Sequence, residues 1–151
     1  MDNIVIYTDG GCFGNPGPGG WAYLMMVEGE TRSASGSDPE TTNNRMELTA
    51  VIRALEAVRA AASTATPIEL HTDSQYVKRG ITEWISHWER NGWKTAGGEA
   101  VKNQELWRRL KGLTDGLPLT FRWVKGHEGD PLNERCDAMV KEAIAAIRRG
   151  G

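Results

Sequence analysis

Residues 4–11 read IVIYTDGG, an apolar run that ends in the carboxylate of Asp9 and then in two glycines. Such a β-favouring run predicts a central strand that carries one negative charge to the edge of a sheet. In α/β sheets, ligands bind at strand ends. We therefore interpret Asp9 as the centre of a metal site, with Glu47, Asp73 and Asp137 as its partners.

The composition is that of an ordinary globular protein of 151 residues, 39% of them hydrophobic and 25% charged. This predicts a single domain over residues 1–151 with a frayed tail over 145–151. No apolar run approaches the roughly 20 residues of a membrane span, and the N-terminus lacks a signal-peptide pattern. We expect a cytoplasmic monomer without a membrane partner. The two cysteines, Cys12 and Cys136, indicate neither a disulfide framework nor a zinc site.

The charge is unevenly distributed along the chain. The formal net charge is −2, which argues against a polyanionic partner, yet without the four suspected ligands it becomes −2 + 4 = +2. Residues 84–111 carry six basic residues against three acidic ones and four of the six tryptophans. Basic residues among aromatic ones suit a nucleic-acid backbone. A solvated amphipathic helix pair with tryptophans in the core explains the same composition.

The order of predicted elements is typical of a mixed α/β sheet. Short connections predict three successive antiparallel strands, and longer periodic segments predict helices and later strands. The glycine-rich residues 10–20 lack the pattern of a phosphate-binding loop, so they form either a hairpin loop or a loop that lays backbone amides along a ligand. The predicted elements are strands 4–9, 21–27, 31–37, 67–72 and 118–124 and helices 44–59, 74–77, 84–88, 103–111 and 131–147.

Four carboxylates stand at distinctive places in this pattern. Asp9 and Asp73 each end a strand, whereas Glu47 and Asp137 lie at the margins of apolar helix faces. Mg²⁺ prefers carboxylate oxygens, and two ions about 3.5–4 Å apart can support phosphodiester cleavage. The alternative is that the acids cap helices, since Asn44 and Glu47 have the spacing of a capping box. Spacing alone leaves both interpretations open.

Several long motifs, in order along essentially the whole chain, resemble those of bacterial type 1 ribonuclease H. They are residues 7–21 (YTDGGCFGNPGPGGW), 41–48 (TTNNRMEL), 71–77 (HTDSQYV), 88–103, 124–127 (VKGH) and 133–137 (NERCD). The resemblance implies a mixed five-stranded sheet, three strands antiparallel and the others parallel, flanked by helices. It also implies endonucleolytic cleavage of the RNA strand of an RNA–DNA hybrid, with 5′-phosphate and 3′-hydroxyl ends and with Mg²⁺, or Mn²⁺ in its place.

The resemblance further implies roles for individual residues. Asp9, Glu47, Asp73 and Asp137 would be the ligands of two metal ions, and His127 would assist proton movement or product release. The remaining residues match positions that bind the hybrid, whose minor groove displays the RNA 2′-hydroxyls. These are Gly11, Cys12, Asn15, Thr42, Asn43, Asn44, Gln75, Trp84, Trp88, Trp93 and Lys94.

The sequence departs from the family pattern in the protrusion, residues 88–99 (WERNGWKTAGGE), where acids and glycines replace frequent lysines. Fewer phosphate contacts predict weaker hybrid binding. Three other classes of protein would share parts of this pattern. They are a non-catalytic hybrid-binding module, a DNA-strand transferase or resolvase on the same fold, and an α/β domain whose acids only cap helices.

Overall fold

The computed structural model describes residues 3–61, 66–123 and 130–150. Its strands are β1 (Ile4–Cys12), β2 (Gly17–Val27), β3 (Glu30–Thr41), β4 (Ile68–Thr72) and β5 (Leu119–Trp123). They form one sheet in the order β3-β2-β1-β4-β5. β2 pairs antiparallel with β1 and β3, whereas β4 pairs in parallel with β1 and β5. The predicted mixed five-stranded sheet is therefore confirmed.

Helices cover both faces of this sheet. They are α1 (Asn43–Ala61), α2 (Gln75–Arg79), a π-helical turn (Gly80–Trp84), α3 (Ile85–Arg90), α4 (Gln104–Thr114) and α5 (Pro131–Gly150). Side chains alternate between the faces of a strand, so Ile4 and Ile6 of β1 pack in the core with α1 and α4. Tyr7 faces the other side and packs with Cys136 of α5. No helix in the described ranges is long and apolar enough to cross a membrane.

The β1–β2 hairpin is longer than the sequence pattern predicted. β2 begins at Gly17 rather than Trp21, and β3 continues to Thr41. A Cβ on Gly19 would stand 2.9 Å from the carbonyl oxygen of Gly11, so this close packing of strands requires glycine. The extended hairpin carries Cys12 and its neighbours to the N-terminus of α1.

α5 continues through Gly150, beyond residue 144, after which the sequence pattern predicted a frayed tail. Arg149 Nη2 lies 3.0 Å from Glu142 Oε1 on the same helix. The guanidinium of Arg148 lies over the ring of Phe13 in the β1–β2 connection. These contacts give the last helical turns partners that helical periodicity alone does not reveal.

The tryptophans of residues 84–107 form an aromatic cluster with Tyr76. Trp107 is fully buried, and its ring centroid lies 5.2 Å from that of Tyr76. The Tyr76 hydroxyl accepts hydrogen bonds from Trp107 Nε1 and Asn103 Nδ2, both at 3.1 Å. Trp84 and Trp88 pack at the edge of the same core and remain partly exposed. The tryptophans of this basic stretch therefore pack mainly in or against the hydrophobic core.

Gly80 is required where the π-helical turn meets this cluster, because a Cβ there would stand 2.5 Å from Cζ2 of Trp107. We expect Gly80→Ala to lower the free energy of unfolding by about 1–3 kcal/mol, the usual cost of overpacking a core. Urea unfolding followed by tryptophan fluorescence measures this change.

Gly112→Ala is the matched control, because a Cβ at this helical position of α4 meets nothing within 4 Å. Alanine should stabilise that helix by up to about 1 kcal/mol through its higher helix propensity. Equal effects of the two substitutions would contradict the packing described for Gly80.

Candidate active site

Asp9 lies in β1 opposite Ala22 of β2, and it is 9% exposed. Its neighbour Gly10 packs directly on α1, since a Cβ at Gly10 would stand 2.5 Å from the backbone nitrogen of Glu47. Glycine thus permits an approach of strand and helix that any side chain would block. This approach brings Asp9 and Glu47 into the lining of the same surface depression.

The parallel register of β1 and β4 brings Asp73 to Asp9. Tyr7 is the partner of His71, and extending this register by two residues sets Asp73 beside Asp9. Adjacent strands lie about 4.8 Å apart, so the two acids share one edge of the sheet. The Thr-Asp pair that follows each apolar run was the sequence signal for this neighbourhood, although the prediction that the first strand ends at Asp9 was wrong, because pairing with β2 extends β1 to Cys12.

Ser74 supports Glu47. Its hydroxyl donates a hydrogen bond to Glu47 Oε2 and accepts one of 3.1 Å from the Val77 amide, which caps α2. Burial raises the pKa of Glu47, the Ser74 hydrogen bond opposes this shift, and the charge of Asp73 adds to it. Ser74 is thus the N-cap of α2.

The capping-box alternative for Glu47 is wrong, because the cap of α1 is Thr42. Thr42 Oγ1 accepts a hydrogen bond of 3.2 Å from the Arg45 amide. The Glu47 carboxylate instead faces Ser74. A threonine directly before the helix was the sequence signal for this cap.

Asp137 is held by Lys141, one helical turn further along α5. Lys141 Nζ lies 2.9 Å from Asp137 Oδ2, and the lysine side chain is 75% exposed. The hydrogen bond to Asp137 raises the pKa of Lys141, and the charge of Asp9 contributes to the shift. Lys141 was not among the residues predicted from the sequence, although its spacing of four residues from Asp137 is that of a helical ion pair.

The four acids line one depression, together with Gly10, Gly11, Cys12, Asn43, Val140, Lys141 and Ile144. As arranged, the described residues contain no group of three or more His, Cys, Asp or Glu that could hold a metal ion. Like charges repel, and Glu47 and Asp137 each turn to a protein donor. The donor set still fits a hard divalent cation, because carboxylate oxygens are its preferred ligands and its charge would offset their repulsion.

Most of the residues predicted to bind a hybrid lie around this depression. Gly11, Cys12 and Asn43 line it, and Asn15 Oδ1 accepts a hydrogen bond of 3.1 Å from the Asn43 amide. Asn15 thereby ties the β1–β2 connection to the N-terminus of α1. Asn44 and Gln75 are exposed in the first turns of α1 and α2.

Trp93, which was predicted to contact a hybrid, is largely buried in the structure. The Trp93 ring is 9% exposed and belongs to the core, and the guanidinium of Arg108 lies 5.0 Å from its centroid. Left-handed backbone at Gly92 (φ 66°) and Trp93 (φ 63°) accompanies this inward placement. Lys94 is exposed beside it, whereas His127 lies outside the described residues.

Asn133 is a second residue that the sequence analysis missed, and it is fully buried in α5. It stands one helical turn before Asp137, on the helix that packs against β1 and β2. Helical periodicity gave no signal for Asn133, because asparagine is usually read as a solvent-facing residue.

Comparison with known proteins agrees with this fold and shows the family. The RNase H family model matches residues 1–145. A protein named Ribonuclease H from Xanthomonas campestris pv. campestris is 52% identical over 150 residues, which are 99% of this chain and 97% of that protein. Another of the same name, from Thiobacillus denitrificans, is 47% identical over 148 residues, 98% of this chain and 97% of that protein.

Solved structures give the same result. LC9-RNase H1, described as a type 1 RNase H with the type 2 active-site motif, has a TM-score of 0.83 at 32% identity, over 97% of this chain and 74% of that one. LC11-RNase H1, solved with an RNA/DNA hybrid, has a TM-score of 0.73 at 28% identity, over 96% and 99% of the two chains. Fold and site thus define an enzyme of the ribonuclease H class. The chain belongs to the RNase H family, which confirms the resemblance noted in the sequence.

The double role of Ser74 can be tested by stability. We expect Ser74→Ala to lower the free energy of unfolding by about 1 kcal/mol from the lost cap, and further because Glu47 loses a buried donor. Ser74→Thr keeps the hydroxyl and should restore most of the loss in urea unfolding. Equal stability of the alanine variant and the unmodified protein would contradict both hydrogen bonds.

Proposed function

We propose that this enzyme is an endonuclease that hydrolyses the RNA strand of RNA–DNA hybrids and leaves 5′-phosphate and 3′-hydroxyl ends. The main observation in support of this proposal is that one depression is lined by Asp9, Glu47, Asp73 and Asp137. The hybrid bound to LC11-RNase H1, a relative of 28% identity, supports the substrate class. We also propose that the protein is a monomeric single domain over residues 1–151 that acts in the cytoplasm.

The four acids would hold two Mg²⁺ ions, for which Mn²⁺ can substitute. The chemistry that such ions would supply when held by these residues is activation of a water nucleophile and stabilisation of the leaving oxygen. The chain itself prepares the ligands. Ser74 orients the Glu47 carboxylate, and Gly10 allows Glu47 to stand beside Asp9. His127, which lies outside the described residues, would assist proton movement or product release.

The polar residues around the depression suit an RNA strand. An asparagine side chain both donates and accepts, so Asn43 in the depression and Asn44 beside it can hydrogen-bond a 2′-hydroxyl. Asn15 fixes the backbone that carries them. Gln75, next to Ser74, would meet the same groove, and Gly11 and Cys12 would border the RNA backbone. Contacts of this kind favour RNA-containing substrates over a DNA duplex.

Asp9→Asn tests the reaction. The substitution keeps the shape of the side chain but removes the charge that would bind the ions, so we expect cleavage of a labelled hybrid to fall by more than about 100-fold. Hybrid affinity should remain similar, which separates an enzyme from a binding module. Asp115→Asn, an exposed acid that does not line the depression, is the control.

The substrate class is tested in the same assay with the unmodified protein. With Mg²⁺, the hybrid should be cut, whereas single-stranded RNA, double-stranded RNA and double-stranded DNA should not. Cleavage of the DNA duplex would favour a strand transferase or resolvase instead. Unchanged cleavage by the Asp9→Asn variant would contradict the proposed site.

The protrusion generates a further prediction. Glu89 and Glu99 are exposed there, and their charges oppose phosphate. Replacing both by lysine should lower KM several-fold at low salt and leave kcat unchanged, because such contacts bind substrate and transition state equally. The control is the double substitution Glu28→Lys with Glu30→Lys, which makes the same charge change at the end of the sheet away from the candidate site. An unchanged KM in the protrusion variant would contradict its role in binding.

A further inference from the structure

The acid-lined depression does not end at the four carboxylates. A shallow trough continues from it along α5, lined by Cys12, Phe13, Lys141, Ile144, Ala145 and Arg148. Cys12, Lys141 and Ile144 belong to both surfaces. We call this extension the α5 trough. A chain that occupies the depression can therefore continue into the trough without leaving the protein surface.

An aromatic ring and a guanidinium form the far end of the α5 trough. Phe13 is 55% exposed and is the one large hydrophobic side chain in the described part of the protein with that degree of exposure. Arg148 Cζ lies 3.7 Å from the centroid of its ring. The Phe13 amide donates a hydrogen bond of 2.8 Å to the Pro18 carbonyl, which fixes the backbone of the connection. Aromatic faces with arginine beside them are typical binding surfaces for single nucleic-acid strands.

The helix wall of the α5 trough is cationic. Lys141 and Arg148 are seven residues apart and so lie on one face of α5, roughly 10.5 Å apart along its axis. One strand of a duplex advances about 3.4 Å per nucleotide, so this separation spans about three nucleotides. Within the described ranges, no carboxylate pairs with Arg148, whereas Arg149 is paired with Glu142.

The side of the α5 trough away from the helix is bordered at Cys12 by the end of β3, because Cys12 Sγ donates a hydrogen bond of 3.3 Å to the Thr41 carbonyl oxygen. Asp38 and Glu40 lie close to that end of β3 and are negatively charged. A polyanion in the trough would therefore run along the α5 wall, away from β3.

We propose that the α5 trough binds the RNA strand of the hybrid on one side of the cleavage position, with Lys141 and Arg148 at its phosphates and Phe13 against a ribose or base. The proposal rests on the proposed function, because the acids at the start of the trough would face the RNA strand. The strand that enters the trough is then the strand that is cut. Lys141 and Arg148 would give the enzyme phosphate contacts that its protrusion, with few basic residues, lacks.

Arg148→Ala tests the proposal, and Arg149→Ala is a matched control with the same charge change at the next residue. Both are made in the Asp9→Asn protein, and hybrid affinity is measured by fluorescence anisotropy over a range of salt. We expect Arg148→Ala to weaken binding about 3- to 10-fold and to reduce the slope of log K against log salt by roughly 0.7–0.9. Arg149→Ala should change affinity less than about twofold.

Phe13→Ala supplies an independent measurement, because it removes the ring without changing the charge. It should weaken hybrid binding several-fold with an unchanged salt slope, and Phe13→Leu should recover part of the loss. The double variant with Arg148→Ala should lose less than the sum of the single losses in free energy, since the two side chains contact each other. Full additivity would contradict a shared binding surface.

Shortened hybrids locate the contact. The difference between Arg148→Ala and its parent should disappear when the RNA strand is shortened on one side of the cleavage position, and persist when it is shortened on the other. A difference that persists in both cases, or that Arg149→Ala reproduces, would overturn the proposal. So would hybrid affinity that neither Arg148→Ala nor Phe13→Ala changes.

Cleavage by the unmodified protein separates this proposal from the proposed function. If that protein does not cut a hybrid with Mg²⁺, the proposed function fails. If it cuts the hybrid and the Arg148→Ala and Phe13→Ala variants bind as their parent does, the proposed function stands and the α5 trough serves another purpose.

Discussion

The close approach of β1 to α1 at Gly10 determines the rest of the site. No other residue type fits there, because a Cβ would stand 2.5 Å from the Glu47 nitrogen. With the helix backbone held against the strand, Asp9 and Glu47 share one position at the sheet edge. The parallel pairing of β1 with β4 then adds Asp73, and the packing of α5 on β1 and β2 adds Asp137. Four carboxylates that are distant in sequence are thus collected by backbone geometry.

Collecting like charges has an electrostatic cost that the surrounding residues reduce. Burial raises the pKa of Glu47, and Asp73 adds to the shift, while the Ser74 hydroxyl favours the ionised form. Lys141 forms an ion pair with Asp137 from the solvent side. The apolar core beneath supplies the compensating stability: Leu48, Val51 and Leu55 of α1 are fully buried. The proposed cations would bind a site whose four carboxylates already line one depression. Two of these carboxylates, Glu47 and Asp137, are still paired with Ser74 and Lys141.

Much of this arrangement could be predicted from sequence because it follows from periodicity. Apolar alternation and helical spacing predicted the order of strands and helices, and the position of Asp9 and Asp73 directly after two apolar runs predicted a shared edge. Contacts between distant segments could not be predicted in the same way. Thr42 rather than Asn44 caps α1, Gly19 lets the hairpin extend, and the Trp93 ring turns into the core. The assignment to RNA–DNA hybrids came from the resemblance, since spacing alone also allowed acids that cap helices.

β3 closes one edge of the sheet, and its residues bear on how the protein behaves at high concentration. An exposed edge offers unpaired amides and carbonyls to other chains, and apolar edges promote fibre formation. Of the twelve residues from Glu30 to Thr41, none is a large hydrophobic one, and Arg32, Asp38, Pro39 and Glu40 interrupt the strand with charge or a missing donor. This composition protects the longest free edge from intermolecular β-pairing. The protein can therefore keep a twelve-residue strand at the edge of its sheet and resist aggregation.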